Sequence, residues 1–519
     1  MSGSAPGASL AGIRLIAATT TDALEAAGLG YKPQDIAVYS NSWGPNDDGL
    51  TLEGPGPQPL AALANAVQTG RGGKGSVYVW AAGNGLDAND NSNYDGYANS
   101  RYTIAVTAVD NRGRQSWYAE PGANILVAAP SSGGTATTAG AGITTTDRTG
   151  TAGYNTATSA NGGDYAGDFG GTSSAAPLVS GVVALMLEAN PNLGWRDVQH
   201  VLAASARKND PTDTGWTRNG AGKWVNHKYG FGVVDAAAAV NLASTWTNVG
   251  PEVAATSGTI TVGRSIPDNN AAGISSTFTV GADVSLESVE IVFSATHASR
   301  GHLQVVLTSP AGTQSVLAEK HADTGDNYRG WVFSTVRDWG ESSKGTWTLT
   351  VSDLTGGTTG TWDSWAINVY GTALPAPAGT QTITVSAGQT AAGVNFGTRS
   401  LAPAAVIALS GAFSVLATTY GTASGTSSLT VTGSNLTAAI TVSAPAGFEV
   451  SSDGTTFGAT AAFSPTSGVA SGTLSVRLAA TTNAGTYSGD VAFSSTGATS
   501  VAAAMPSSQA LRSMPGSGG

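Results

Sequence analysis

Three short apolar runs set the strongest limit on what this chain can fold into. They lie at 36–40 (Ile-Ala-Val-Tyr-Ser), 76–82 (Ser-Val-Tyr-Val-Trp-Ala-Ala) and 102–109 (Tyr-Thr-Ile-Ala-Val-Thr-Ala-Val). Runs that stay apolar without strict alternation suit strands buried on both faces. Between the first two, Leu60, Leu63, Ala64 and Val67 share one helical face within 59–69, and Gly70 reads as a stop. Such strands separated by helices predict a parallel sheet covered on both sides. The strongest helical segment is 177–190, apolar nearly all round and so expected to be buried.

The pattern changes after residue 246. Segments 304–308, 347–351 and 365–370 alternate apolar with polar and are separated by Gly, Asp and Ser, which predicts an antiparallel β-sandwich over 247–372. Pro375, Pro377 and Gly379 open a linker at 373–400 that leads into a short β-segment. Residues 401–519 carry many short alternating strands in a Ser/Thr/Ala-rich background, the pattern of a second, immunoglobulin-like β-sandwich. Its tail, 505–519, breaks the strand pattern where one more strand is expected, so this domain reads as incomplete. The acids follow the same divisions: 19 in 1–246, 12 in 247–372 and 3 in 373–519.

Composition removes several function classes. A net charge of -11 argues against a phosphate-binding basic face and hence against nucleic acid. With no cysteine there is neither a disulfide framework nor a thiolate metal site. No apolar run approaches the roughly 20 residues of a membrane span, and no signal peptide is visible after Met1. The five histidines are His200, His227, His297, His302 and His321, so the first 199 residues hold none.

The chemistry concentrates at Gly171-Thr172-Ser173-Ser174-Ala175-Ala176-Pro177, which opens the apolar helix. A serine there can simply cap the helix. Small residues on both sides also allow close approach, and a hydroxyl at the positive helix end favours developing negative charge. The string resembles the nucleophile signature of subtilisin-like serine proteases, whose usual form has Met where Ser174 stands.

Further segments narrow the resemblance to kexin/furin proprotein convertases. They are Tyr39-Ser40-Asn41-Ser42-Trp43-Gly44-Pro45-Asn46-Asp47-Asp48-Gly49, Val79-Trp80-Ala81-Ala82-Gly83-Asn84-Gly85, Asp90-Asn91-Ser92-Asn93-Tyr94-Asp95-Gly96-Tyr97 and Asn226-His227-Lys228-Tyr229-Gly230-Phe231-Gly232. The resemblance implies an α/β subtilisin-like peptidase domain over 1–246 and a serine endopeptidase activity that cleaves polypeptides after basic residues, chiefly arginine. It implies Ser173 as nucleophile and Asn84 as side-chain donor to the oxyanion, worth roughly 3–4 kcal/mol of barrier. Ser42, Trp43 and Gly44 would form the substrate-binding strand. Asp47 and Asp95 would grip the arginine, whose planar fork suits a carboxylate pair. Glu25 and Glu53, with Tyr97 beside them, would form an outer acidic subsite, whereas Asp48 reads as a turn cap. Asp47, Asp90 and Glu120 match a calcium site, and hard carboxylate oxygens suit Ca2+.

Residues 247–372 resemble the P-domain that follows the convertase peptidase domain, through strings such as Thr296-His297-Ala298-Ser299-Arg300-Gly301-His302-Leu303 and Gly345-Thr346-Trp347. The implied role is to pack on the peptidase domain and stabilise it, and His297 and His302 read as structural. Residues 401–519 resemble bacterial immunoglobulin-like surface repeats, a spacer or an adhesion module for an extracellular ligand. Together these imply a secreted or cell-surface protein.

One departure limits the activity. The family's triad Asp and His precede the segment resembling 5–16, so the chain reads as lacking both, and its sheet is expected to show an open edge. Asp22 and Asp35 lie outside the aspartate motif, and His200 and His227 match scaffold positions. The chain is expected to be inactive as written. The alternative is a non-catalytic pseudo-protease or surface-binding protein that uses its β-sandwiches.

Overall fold

In the computed structural model, which describes residues 3–135, 138–156, 163–374 and 405–512, the three apolar runs become parallel strands. They are β1 (Val38–Asn41), β2 (Val77–Ala81) and β3 (Thr103–Val109), joined by β4 (Ile125–Pro130) in the order β1-β2-β3-β4. Val38 pairs Val77, Tyr78 pairs Thr103 and Ala105 pairs Ile125. Every residue of β2 and β3 is buried, which is why these runs do not alternate. The outer edge of β1 pairs with no described strand. Residues 8–15 form no strand either, and Leu10 is almost fully exposed.

Helices cover the sheet as predicted. α1 (Asp22–Leu29) starts where the Thr21 hydroxyl accepts from the Leu24 N–H. α2 (Pro57–Gly73) loses helical geometry at Gly70, whose ψ is 158°, and Arg71 and Gly72 follow with φ of 51° and 67°. Gly70 is therefore the stop that the sequence marks. α3 (Thr172–Ala189) begins five residues before the predicted start, with Pro177 inside it. It contacts all four strands. Among the described residues α3 is the one helix long and apolar enough to cross a membrane, and it covers the sheet instead. α4 (Trp195–Ser205) and α5 (Ala236–Ser244) complete this layer.

Residues 252–373 form two antiparallel sheets. In the first, 284–297 lies between 328–335 and 360–373, and 360–373 also pairs 252–256 and 260–266. The second has the order 270–280, 345–353, 303–308, 314–318. Phe293, Phe333, Trp347, Trp362 and Trp365 fill the space between them. Three buried residues cross over: Tyr94 and Ala123 lie in this core, and Trp339 lies in the core of the α/β part. Accordingly Met1–Ala376 is one compact unit.

The second unit is described over 405–512. Its sheets run 406–410, 427–434, 470–478, 448–451 and 417–419, 501–511, 485–494, 440–443, 460–463. They share a core that includes Val431, Ile440, Leu474, Val491 and Phe493. The last strand, Val501–Leu511, differs from the expectation that the pattern breaks at 505. Its register shifts between the partners Tyr487 and Gly489, which lets Pro506 sit beside a bulge. That shift hides a strand from a search for strict alternation. The expected linker segment at 375–400 lies outside the described residues.

Candidate active site

The site is built on the N-terminus of α3. Gly171 caps the helix at φ 75°, a left-handed conformation that favours glycine, and a Cβ there would stand 3.2 Å from Asn84 Oδ1. Ser173 is thus the second helical residue and not the cap. Its hydroxyl has no hydrogen-bond partner among the described residues. Its carbonyl has one because of Pro177: proline has no N–H to return to the carbonyl four residues back. The Ser42 hydroxyl donates to that freed carbonyl at 3.0 Å, which ties the segment after β1 to the serine.

Asn84 sits at the centre of the network. Its Oδ1 accepts from the Thr172 N–H at 2.7 Å, which fixes the amide's orientation, so Nδ2 is the atom 3.0 Å from Asp47 Oδ2. The Asn84 backbone N–H donates to the same oxygen at 3.0 Å. One Nδ2 hydrogen is therefore held by Asp47 and the other remains for a further acceptor. Ser174, where methionine is usual in the family, is explained locally. Its hydroxyl lies 2.6 Å from Ser131 Oγ, which also contacts the Gly171 carbonyl at 2.7 Å and Tyr118 Oη at 2.7 Å. The signal for this serine pair was absent from the sequence, because Ser131 is 40 residues from Gly171.

Four carboxylates gather behind Asn84. Asp90 accepts from the Gly49 and Asn91 N–H groups at 2.9 and 2.8 Å, and Glu120 accepts from Gly85 at 2.8 Å. Asp95 accepts from Tyr97 and Ala98 at 2.7 and 3.2 Å. Glycines permit this crowding: a Cβ on Gly83 would meet the Glu120 carboxylate at 2.3 Å, and one on Gly44 would meet Asp95 Oδ2 at 2.7 Å. Burial pushes Asp90 up to about 6 and Asp95 up to about 8, and neighbouring acids push the same way. Glu120, fully enclosed, is raised well above the carboxylate range by burial and then by Asp90 and Asp47. Asp47 is raised too, first by burial, although the residue keeps an exposed face. Asp47, Asp90 and Glu120 are hard oxygen donors short of positive charge, and as a donor set they fit Ca2+.

The outer residues are placed around this core. Tyr97 donates to Glu25 at 2.5 Å, and Thr20 donates to the other Glu25 oxygen at 2.7 Å. Glu53 is bridged to Asp95 through the backbone, with its side chain exposed. Trp43 stacks edgewise on Trp80 at 4.8 Å and its carbonyl accepts from Trp80 Nε1 at 2.7 Å. Asp48 accepts from the Leu50 and Thr51 N–H groups, both at 2.9 Å, and caps a turn.

No histidine joins this group. His200 lies 2.9 Å from Glu287 and accepts from Trp339, while His227 lies 3.4 Å from Glu319. His297 pairs with Asp353, His302 with Thr358, and His321 with Tyr94.

Residues 1–232 match the subtilase family and residues 286–369 match the proprotein convertase P-domain. Furin-like protease 1, isoform 1-CRR, of Drosophila melanogaster is 36% identical over 377 residues, which is 72% of this chain and 33% of that protein. Proprotein convertase subtilisin/kexin type 6 of Homo sapiens is 39% identical over 386 residues, 72% of this chain and 38% of that protein. The chain therefore spans little more than a third of the length of these relatives. Among solved structures, the serine protease of Aeromonas sobria in complex with its chaperone superposes with a TM-score of 0.64 at 26% identity, covering 72% of this chain and 78% of that one. Residues 1–232 form a subtilase-family domain and residues 286–369 a proprotein convertase P-domain, and the relatives of the chain are furin- and kexin-type convertases.

Proposed function

We propose that this chain carries the nucleophile, oxyanion donor and acidic pocket of a calcium-dependent serine endopeptidase that cleaves polypeptides after arginine. The observation behind the reading is the set of buried carboxylates tied through Asn84 to the start of α3. Ser173 Oγ attacks the scissile carbonyl at the positive end of an 18-residue helix. The second Nδ2 hydrogen of Asn84 meets the oxyanion. Asp47 and Asp95 take the guanidinium, and the incoming cation offsets first the burial and then the neighbouring negative charge that raise both acids. Ca2+ held by Asp47, Asp90 and Glu120 would neutralise the charge beneath that pocket.

The proton on Ser173 Oγ needs an acceptor, and all five histidines are engaged elsewhere. In subtilisin, removal of the histidine costs about 2 × 10⁶ in kcat, or about 8–9 kcal/mol of barrier. We therefore read these 519 residues alone as nearly inert. The same observation favours the second reading, a binding protein that keeps a protease scaffold. The module at 405–512 then serves as an immunoglobulin-like spacer or adhesion domain on a secreted or surface-held protein.

A fluorogenic arginyl peptide in millimolar Ca2+ tests the catalytic reading. The chain alone should give background rates. Fused behind a relative's Asp- and His-bearing segment, it should cleave after arginine, and Ser173→Ala should abolish that. Cleavage by the chain alone at a convertase-like rate would overturn the inert reading. Unchanged arginine preference in the fused Asp95→Asn variant would overturn the pocket assignment.

A further inference from the structure

We propose that His297, His302 and Asp353 form a binding site for a divalent first-row transition cation, represented by zinc, at one end of the P-domain. The three residues come from three elements. His297 ends strand 284–297, His302 ends the short helical turn 300–302, and Asp353 ends strand 345–353. One ligand atom from each gathers within 4.8 Å. Two imidazoles and one carboxylate suit zinc and its neighbours, with a further position open to water. Calcium, which prefers oxygen alone, is disfavoured.

Hydrogen bonds around the set leave metal-facing atoms free. His297 Nδ1 lies 2.7 Å from the Ser299 carbonyl and 3.2 Å from the Ser299 N–H, so the backbone engages Nδ1 and leaves Nε2 for Asp353. Nε2 stands 3.1 Å from Asp353 Oδ2. A cation between ring and carboxylate would offset the buried negative charge, in a place where His297 is 1% exposed and Asp353 0%. The other atoms are anchored: Asp353 Oδ1 accepts from the Thr355 N–H at 3.0 Å, and His302 Nδ1 lies 3.0 Å from Thr358 Oγ1. An imidazole held through one nitrogen by a carbonyl or hydroxyl is the usual support of a metal ligand. Thr355 Oγ1, beside Asp353, is itself buried with no partner. Tetrahedral zinc needs donors about 3.4 Å apart, so the set must close slightly. His302, half-buried on a short turn, can move and gives the ion a path.

A proton on His297 Nε2, donated to Asp353, would also satisfy that carboxylate and would need no third residue. His302 separates the two cases, since it belongs to the metal set and not to the His297–Asp353 pair. The test uses the full chain, stripped with chelator and titrated with Co2+ or Zn2+ in millimolar Ca2+, which keeps the carboxylate cluster occupied. The expected result is one Co2+ per chain with the visible bands of a low-coordinate site, and a thermal midpoint several degrees higher with Zn2+. His302→Ala should lose at least about a hundredfold in affinity and the zinc-dependent shift, while its metal-free midpoint stays near that of the parent. No binding up to about 0.1 mM metal would overturn the proposal, as would His302→Ala binding as tightly as the parent. These readouts do not depend on proteolysis.

Discussion

Asp90 and Asp95 show how far single residues are shaped by their neighbours. Each is an ordinary aspartate in sequence, and each is held above the usual carboxylate range by burial among other acids. Unfolded, both release their protons near pH 4. Folded, they keep them to about 6 and about 8, so across that window the folded state binds more protons and loses stability as pH rises. The slope reaches about 1.4 kcal/mol per pH unit for each group at most. His321, held below its usual value first by burial, pulls the other way, so the clean readout is the gain from calcium. Ca2+ competes with the protons, and its effect on the thermal midpoint should be larger at pH 8 than at pH 5. An equal or smaller gain at pH 8 would show that Asp90 does not belong to the calcium site. The residue types of the pocket were legible from motif resemblance. Their protonation was not, because it depends on loops brought together from 47, 90, 95 and 120.

Helix α3 shows the same division at the scale of an element. Its apolar composition announced a buried helix, but its start was misplaced by five residues, since Pro177 looked like a first-turn proline. Inside the helix Pro177 frees the Ser173 carbonyl, and Ser42 takes it. Ser42→Ala should leave that carbonyl short of a partner and cost about 1 kcal/mol, measured by denaturant unfolding. A change within about 0.3 kcal/mol would mean that solvent satisfies the carbonyl as well as Ser42 does. The stop at Gly70 was legible because glycine's conformational freedom is local. The strand Val501–Leu511 was not, because a bulge offsets its alternation at Pro506.

Across the first unit, the P-domain is inserted into the peptidase domain's own loops. Asn93 exchanges hydrogen bonds with the Ser334 backbone at 3.1 and 2.8 Å, and Tyr94 stacks on His321 at 4.4 Å. The loop that carries Asp90 and Asp95 is thereby anchored from outside its own domain. Arg196 grips Glu287 through two bonds of 2.6 and 2.5 Å, with His200 on the same carboxylate. Hydrogen bonds from His200 and Arg196 outweigh the burial that opposes ionisation, and Glu287 is held below its usual range. Glu287→Ala should cost about 3–5 kcal/mol, because it leaves a buried arginine unpaired, and the calcium response of the distant pocket should weaken with it. A loss under about 1 kcal/mol would show the pair to be solvated and the interface loose.

The sequence by itself determined the parallel sheet, the helix that carries Ser173, the division into segments and the family, because periodicity, small-residue strings and motif order are properties of neighbouring residues. Only the tertiary structure decided which groups share a dielectric and a hydrogen bond. It gave the Asn84 amide to Asp47 and Thr172, sent all five histidines away from Ser173, and set His297, His302 and Asp353 together. The physical reason is that proton affinity, hydrogen-bond satisfaction and metal affinity depend on distances of a few ångströms between residues far apart in the chain.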